Sequence, residues 1–382
     1  MLCFQSLRDP TRAFADDNQE PFLAFLQAVN VMAPRPAVVS ISYTDEECAV
    51  PEGYREAVNR ELMKAALQGI SILISAGDSG AQGSSMSAFC GVVLCSQFVA
   101  MFPASSPYVT AVGATTLNPA TRQPNGKYGE RVTSAAHGDL ITSGGGFSSV
   151  FAMPAYQKKA AATYLAYADA HNLTGLFNPA GRAYPDVAAL GHSFPTVQNG
   201  QVWRTDGTSV SAPIVASLVA LLNRQRLAMG RPVLGFLNPL LYQLYDVCPY
   251  VFTDITDGDL ACAARGVACC AAGHAAIPGW DAASGVGTLR LETLATELDG
   301  CIEQIRSTSL LAEESQPVSL LQRDTTRVLA IERIGLVVTL VAAVALVSVL
   351  VSMRGNVFPG RRFFEFQRNE PARERLLAGN HN

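Results

Sequence analysis

The sequence has no excess of positive charge. Its 28 lysines and arginines are outnumbered by 32 aspartates and glutamates, and the formal net charge is -4. Because nucleic-acid-binding proteins usually carry a basic surface, we expect no nucleic-acid partner. Internal repeats are also missing. With 382 residues, 49% of them hydrophobic, the chain is not disordered and can bury one large core or two smaller ones.

Two further signals are absent. Residues 1–10 contain no apolar run, so no signal peptide is visible. No pair of cysteines has the C-x-x-C spacing, which argues against a zinc site. The nine cysteines instead predict disulfides in an oxidising compartment, and their odd number leaves at least one unpaired. Those that crowd together in the sequence are Cys90 with Cys95, and Cys248, Cys262, Cys269 and Cys270.

One uncharged run stands near the C-terminus. Residues 334–353 are rich in valine, leucine and alanine and long enough to cross a bilayer, so we predict one transmembrane helix; a buried core helix is the alternative. Arginines on the C-terminal side weakly place residues 354–382 in the cytosol as a tail. We therefore expect a globular domain over residues 1–302, lumenal or extracellular, and a juxtamembrane stalk over 303–333.

The globular region alternates apolar strands with helical patterns. Strands are predicted at 37–43, 71–76 and 109–115, and an amphipathic helix at 51–68. The glycine-rich residues 143–148 are expected to be a loop. This alternation predicts an α/β fold with a mainly parallel sheet covered by helices.

A serine lies between small residues at the entry of an apolar, helix-spaced run. The motif is TDGTSVSAP, residues 205–213, and its central serine is Ser209. Small neighbours let a substrate backbone approach, and a helix N-terminus favours developing negative charge, so Ser209 is a candidate nucleophile. The alternative is a serine that only caps the helix.

Asp78 follows the predicted strand 71–76, between glycines. In open α/β sheets the carboxyl ends of strands carry the ligand-binding groups, so Asp78 is a candidate for a cleft. The alternative is an aspartate that only stabilises a turn.

Several motifs, in this order, resemble those of the sedolisins, the serine-carboxyl peptidases. The resemblance covers about residues 18–300. The motifs are SAGDSG at 75–80, FPASSPYV at 102–109, SGGGFS at 143–148, GRAYPDVA at 181–188 and GTS at 207–209.

The resemblance implies a subtilisin-like, doubly wound fold with helices on both faces of the sheet, and hydrolysis of peptides or proteins at acid pH. Ser209 would attack the scissile carbonyl, and Asp78, in its protonated form, would donate a hydrogen bond to the oxyanion. A lysosomal or endosomal location is implied too.

The family's calcium site also has a counterpart, which implies one bound Ca²⁺. Its ligands would be the carboxylates of Asp254 and Asp281 and the backbone carbonyls of Ile255, Ile277 and Gly279. An all-oxygen set of this kind suits a hard cation.

The family's catalytic base and its partner come from a Glu-x-x-x-Asp helix, and here no glutamate is followed four residues later by aspartate. Residues 45–47, Asp-Glu-Glu, follow a predicted strand and could line a cleft, but we expect them to form a solvated turn and not a substitute base. His137 and Asp139 suggest a Ser-His-Asp enzyme only weakly.

Two hypotheses follow. In the first, the chain is a membrane-anchored serine-carboxyl peptidase whose N-terminal coding region, with the base helix, is missing from the sequence. In the second, it is a shortened, inactive pseudopeptidase that uses the cleft to bind peptides or protein partners.

Overall fold

The computed structural model describes residues 2–4, 21–83, 91–122, 128–264 and 269–314. Residues up to Ser309 form one compact unit, and residues 310–382 are assigned to a second. The predicted membrane helix at 334–353 and tail at 354–382 lie outside the described residues. Among the helices that are described, none combines the length and apolarity that a membrane crossing requires.

In the described part of the chain, the central sheet has eight strands. They are β1 Leu2–Phe4, β2 Val38–Ile41, β4 Ser71–Ser75, β6 Thr110–Arg122, β7 Tyr128–Val132, β10 Val187–Leu190, β13 Phe252–Thr253 and β14 Thr288–Leu289. Their order is β1-β2-β4-β6-β10-β14-β13, and β7 pairs with β6. All neighbours from β1 to β14 in this order are parallel, whereas the described pairs β13–β14 and β6–β7 are antiparallel. The predicted mainly parallel sheet is thus confirmed.

Three small antiparallel pairs lie outside this sheet. They are β3 (Asp45–Glu46) with β5 (Met101–Phe102), β8 (Gly146–Ala152) with β9 (Gly181–Tyr184), and the hairpin β11 (Phe194–Gln198) with β12 (Gln201–Thr205).

Helices cover both faces of the sheet. Alternate residues of one strand point to opposite faces: Leu73 of β4 belongs to the core under α4, whereas Ile72 and Ile74 belong to the core under α1 and α2. A strand buried on both faces reads as a continuous apolar run, which is why β2 and β4 were detectable in the sequence. The helices are α1 Phe22–Val31, α2 Glu52–Leu67, α3 Lys158–Ala170, α4 Thr208–Ala228, α5 Asn238–Val247 and α6 Leu291–Glu314.

The glycine-rich loop predicted at 143–148 is only half correct, because its last three residues begin β8. Two glycines of this segment allow close packing of backbone against backbone. A Cβ on Gly144 would lie 2.2 Å from the carbonyl oxygen of Ala76, and one on Gly145 would lie 1.9 Å from that of Ala282. No larger residue fits this approach of backbone to backbone.

The expected disulfides are present, but two of the three described bonds join cysteines that lie far apart in the sequence. Cys95 pairs with Cys270, not with Cys90, and Cys248 pairs with Cys301, 53 residues away. Cys262 pairs with Cys269. The fold, not local spacing, brings distant cysteines together. The Cys248–Cys301 bond ties α6 to the end of α5, and α6 continues through residues 302 and 303, where the stalk was expected to begin.

Candidate active site

Ser209 lies in the first turn of α4. The N-cap residue of this helix is Gly207, which has no side chain to cap it. The Ser209 hydroxyl instead donates a hydrogen bond of 3.2 Å to the carbonyl oxygen of Ser42, whose own hydroxyl donates one of 2.9 Å to the Ser209 carbonyl. The structure therefore excludes the reading of Ser209 as a helix cap. It leaves a hydroxyl beside the free N–H groups and positive end of a long helix.

Asp78 follows β4 and reaches the same helix N-terminus. Its Oδ1 accepts hydrogen bonds from the backbone N–H of Thr208 at 2.7 Å and from the Thr208 hydroxyl at 2.8 Å. Gly207 gives it room, since a Cβ there would lie 3.1 Å from Oδ2. Every side-chain hydrogen bond of Asp78 in the described part of the chain ends on Oδ1. Its Oδ2 is thus left to interact with a ligand.

The environment of Asp78 favours its neutral form. Burial raises the pKa of this carboxyl, the hydrogen bonds from Thr208 lower it, and the charge of Asp206 raises it again. The net direction is upward. A carboxyl group with a raised pKa stays protonated over a wider pH range, and a protonated carboxyl can donate a hydrogen bond.

Ser209 and Asp78 line one pocket with a volume of about 290 Å³. Two acids that were expected in a solvated turn, Asp45 and Glu46, line it as well. That expectation is wrong, because both residues form β3 and pair with β5, and Glu46 is buried. The other lining residues are Ser42, Tyr43, Thr44, Ser75, Gly77, Ser79, Met101 and Thr208.

Glu47, the third acid of that segment, is also buried, but it has a structural role. Its carboxylate accepts hydrogen bonds from the Ser148 hydroxyl at 2.6 Å, the Ser149 N–H at 2.7 Å and the Ser149 hydroxyl at 2.6 Å. These bonds fasten strand β8 to the segment that forms one wall of the pocket.

The predicted calcium ligands come together around the loop 277–281. Oδ2 of Asp281 accepts a hydrogen bond of 2.9 Å from the N–H of Ile277, and Oδ2 of Asp254 accepts one of 2.8 Å from the N–H of Gly279. Ile255 follows Asp254 directly and is buried. All five predicted ligands therefore lie on two adjoining segments.

This cluster has the chemistry that a hard cation requires. Asp281 is fully buried and forms no ion pair with any described residue. Within the described part of the chain, the carbonyl oxygens of Ile255, Ile277 and Gly279 accept no hydrogen bond. No described group of three or more His, Cys, Asp or Glu side chains has the arrangement of a metal site. A cation here would depend on backbone carbonyls, as the resemblance implies.

Comparison with known proteins decides the family. The sequence profile of the subtilase family, peptidase S8, matches residues 16–232. The chain belongs to the subtilase family.

Within the subtilases, the resemblance to sedolisins is confirmed. The chain is 40% identical over 284 residues to tripeptidyl-peptidase 1 of Macaca fascicularis and 39% identical over 288 residues to that of Homo sapiens. It is also similar to the solved structure of Pseudomonas sedolisin, a serine-carboxyl proteinase complexed with pseudo-iodotyrostatin, at 27% identity and a TM-score of 0.56, covering 72% of this chain and 68% of that one. Each tripeptidyl-peptidase alignment includes 74% of this chain and 46% of the relative, so the chain spans about half the length of these relatives.

Among the described residues, the candidate site of this subtilase contains no histidine. His137 is exposed at the end of a short 3-10 helix, and its sequence neighbour Asp139 pairs with Arg131, not with a histidine-serine pair. The weak Ser-His-Asp alternative is therefore wrong for these residues. Ser42 and Thr208, which position Ser209 and Asp78, were not predicted. The position of Ser42 just after β2 is the signal that would have found it.

Proposed function

We propose that this chain carries the nucleophile and the oxyanion donor of a serine-carboxyl peptidase that cleaves peptide bonds at acid pH. The observation that supports it most is the placement of Asp78 on the N-terminus of the helix that presents Ser209, through its two hydrogen bonds to Thr208. This contact leaves Oδ2 of Asp78 without a hydrogen bond from a described residue, and Asp78 and Ser209 line the same pocket.

In the proposed reaction, the Ser209 oxygen bonds to the scissile carbonyl carbon and the carbonyl oxygen becomes the oxyanion. Asp78 donates a hydrogen bond to that oxygen from its protonated Oδ2, which is why the reaction needs acid. Collapse of this intermediate expels the amine and leaves an acyl group on Ser209, which water then hydrolyses. The Ser209 proton would pass to a carboxylate base and from it to the nitrogen of the leaving amine. The resemblance gives that role to the glutamate of the Glu-x-x-x-Asp pair, which this sequence lacks.

We further propose a tripeptidyl-peptidase type of activity. Asp45 and Glu46 contribute two acidic residues to the pocket lining. Such a lining favours a positively charged group, and a peptide with a free N-terminus carries one. The identity to tripeptidyl-peptidase 1 supports the same activity.

The alternative function is peptide binding without turnover. It rests on the missing Glu-x-x-x-Asp pair, since a serine with no base is a poor nucleophile. In this case the pocket would retain substrate-like peptides and release them unchanged.

Covalent capture by a peptide aldehyde tests the role of Ser209 without requiring turnover. The Ser209 oxygen adds to the aldehyde carbon, and its proton moves to the aldehyde oxygen. We expect a covalent adduct at acid pH, seen by mass spectrometry under native conditions. Ser209→Ala should weaken capture by roughly 100-fold, whereas the control Ser217→Ala, on the exposed side of α4, should not. Equal capture by both variants would refute the assignment.

Turnover of a tripeptide reporter at acid pH separates the two functions. We expect none for the chain as printed, because its sequence lacks the base pair. Robust turnover that is lost in Ser209→Ala would contradict this expectation and show that another group acts as the base.

We propose that one Ca²⁺ binds at Asp254, Ile255, Ile277, Gly279 and Asp281. The two carboxylates support this site, and so do the three carbonyl oxygens, which accept no hydrogen bond from a described residue. The bound ion would hold the loop 277–281 together. Calorimetric titration with Ca²⁺ should show one site, absent in Asp281→Asn. It should be retained in Asp257→Asn, which alters a neighbouring exposed acid.

The location of the protein is also a proposal. We propose that residues 334–353 anchor it in a membrane, with the peptidase domain on the lumenal or extracellular side; the support is the uncharged run and its flanking arginines. The protein should resist extraction with alkaline carbonate, and deletion of residues 334–353 should release it. Release of the full chain by carbonate would contradict the anchor.

A further inference from the structure

His192 lies between two carboxylates that come from different parts of the chain. Its Nδ1 is 2.5 Å from Oδ1 of Asp206, and its Nε2 is 3.5 Å from Oδ1 of Asp139. The side chains of Asp206 and Asp139 are only 8% and 4% exposed, whereas that of His192 is 27% exposed. Solvent protons can therefore reach an imidazole that is flanked by two buried acids.

This arrangement fits a charged imidazole better than a neutral one. A neutral ring has one N–H and one lone pair, so it must turn the lone pair to one of the two carboxylates. The imidazolium form instead carries a positive charge that attracts both carboxylates. Nδ1 forms no well-aligned hydrogen bond with a described group. Its short contact with Asp206 is accordingly favourable through charge, which only the protonated ring carries.

The carboxylate of Asp139 is ionised and held in place by hydrogen bonds. It accepts two hydrogen bonds from Arg131, at 2.8 and 3.0 Å, one from the Ser134 N–H at 3.0 Å and one from the Thr116 hydroxyl at 3.1 Å. Burial raises the pKa of Asp139, but the hydrogen bonds from Arg131 and Ser134 and the positive charges nearby outweigh burial and lower the pKa overall.

Asp206 belongs to the segment that presents the nucleophile. It is three residues before Ser209, and its Oδ1 accepts a hydrogen bond of 3.0 Å from the Ser193 N–H. The next residue, Gly207, donates a backbone hydrogen bond of 2.8 Å to the carbonyl of Gly191. The loop that carries His192 thus holds the residues just before Ser209 at two points.

Other charged groups act on this bridge. Arg131 lies behind Asp139, and Arg204 of β12 donates a hydrogen bond of 3.0 Å to the Ser193 carbonyl beside His192. Asp78 interacts with the charge of Asp206 through space. The two carboxylates contact the imidazole directly, and both arginines bond to its immediate neighbours.

We propose that His192 is an acid-dependent positioning residue. As an imidazolium it bridges Asp139 and Asp206 and fixes residues 206–209, and the bridge opens when the ring loses its proton. The inference rests on the proposed function only in treating 206–209 as the catalytic segment; the bridge itself does not depend on Ser209 being a nucleophile.

Hydrogen exchange at the Ser193 and Gly207 amides, neither of which bonds to Asp78, tests the bridge. After correction for intrinsic exchange rates, we expect about fivefold faster exchange at pH 7.5 than at pH 4.5 in the unmodified protein. His192→Gln should exchange fast at both pH values. His192→Lys, which keeps a charge at both, should exchange slowly at both. His137→Gln removes an exposed histidine near Asp139 and should behave like the unmodified protein.

Asp206→Asn is the second variant. It removes the charged partner but keeps an acceptor for the Ser193 N–H, and it should abolish the pH dependence too. Exchange in the unmodified protein that does not change with pH, or a pH dependence that survives in His192→Gln or Asp206→Asn, would overturn the proposal. Aldehyde capture in the same samples tests the role of Ser209 separately. If exchange shows the bridge but no aldehyde is captured, only the role of Ser209 is refuted. If aldehyde is captured but exchange shows no bridge, only the role of His192 is refuted.

Discussion

Asp281 is a buried and Asp78 a partly buried loop aspartate, and they differ in which of their oxygens already accept hydrogen bonds. Burial raises the pKa of each, and the pKa of Asp281 rises to about 7. Both oxygens of Asp281 accept hydrogen bonds from its own loop: Oδ1 from the Ala283 N–H and from the N–H and hydroxyl of Ser284, and Oδ2 from the Ile277 N–H. Asp78 keeps Oδ2 free of such bonds.

This difference in hydrogen bonding lets the same side chain support two kinds of chemistry. A carboxyl group with a free oxygen facing a pocket can hold a proton there and donate it to a ligand. A carboxylate whose oxygens are all engaged by N–H and O–H donors organises a loop and offers its negative charge to a cation. The predictions below test this contrast.

Removal of the two carboxyl groups should have unequal effects on stability. Asp281→Ala leaves four buried donors without an acceptor, so we expect it to lower the free energy of unfolding by roughly 3 to 5 kcal/mol. Asp78→Ala leaves only the Thr208 N–H unpaired, because the Thr208 hydroxyl can donate to the Gly77 carbonyl instead, and it should lower the free energy of unfolding by about 1 to 2 kcal/mol. Urea unfolding followed by circular dichroism measures both. Equal losses would contradict the contrast.

Stability without Ca²⁺ should fall as the pH rises from about 4 to 7. In this window Asp281 holds a proton in the folded state, where its pKa is about 7, and has lost it in the unfolded state, where its pKa is near 3.8. Folding therefore binds a proton, and raising the pH through the folded pKa removes stability, by up to about 4 kcal/mol. A bound Ca²⁺ would replace the proton and flatten the slope.

Thermal unfolding across this pH range, with Ca²⁺ and with a chelator, tests whether Ca²⁺ replaces the proton on Asp281. Asp281→Asn is the control, because it cannot titrate and should show neither the slope nor its suppression by Ca²⁺. A slope that is the same with and without Ca²⁺ would show that the ion does not bind at Asp281.

Gly207→Ala should disturb Asp78 and leave the Asp281 loop intact. Gly207 has a φ of +136°, and an added Cβ would lie 3.1 Å from Oδ2 of Asp78. We expect a loss of roughly 1 to 2 kcal/mol in stability from the strained backbone and about tenfold weaker aldehyde capture. Gly230→Ala, another glycine with positive φ but with no neighbour near its Cβ position, is the matched control. It should lose stability but not capture.

The sequence predicted the strands at 37–43 and 71–76 because they are buried on both faces and read as unbroken apolar runs. The five calcium ligands implied by the family resemblance lie on two adjoining segments, and their binding of Ca²⁺ stays a prediction. The sequence did not predict that Asp45 and Glu46 would pair with Met101 and Phe102, since two-residue strands have no periodicity. The partners of His192 were likewise undetectable, because 53 residues separate His192 from Asp139 in sequence and the fold alone unites them.

The central claim is that a protonated Asp78 stabilises the oxyanion formed at Ser209, and the pH dependence of aldehyde capture in Asp78→Asn tests it most directly. An asparagine keeps the acceptor for Thr208 and donates from its N–H group at every pH. We predict that the dissociation constant of the unmodified protein rises by about tenfold between pH 4 and pH 7, whereas that of Asp78→Asn stays nearly constant. The same pH dependence in both proteins would contradict the claim.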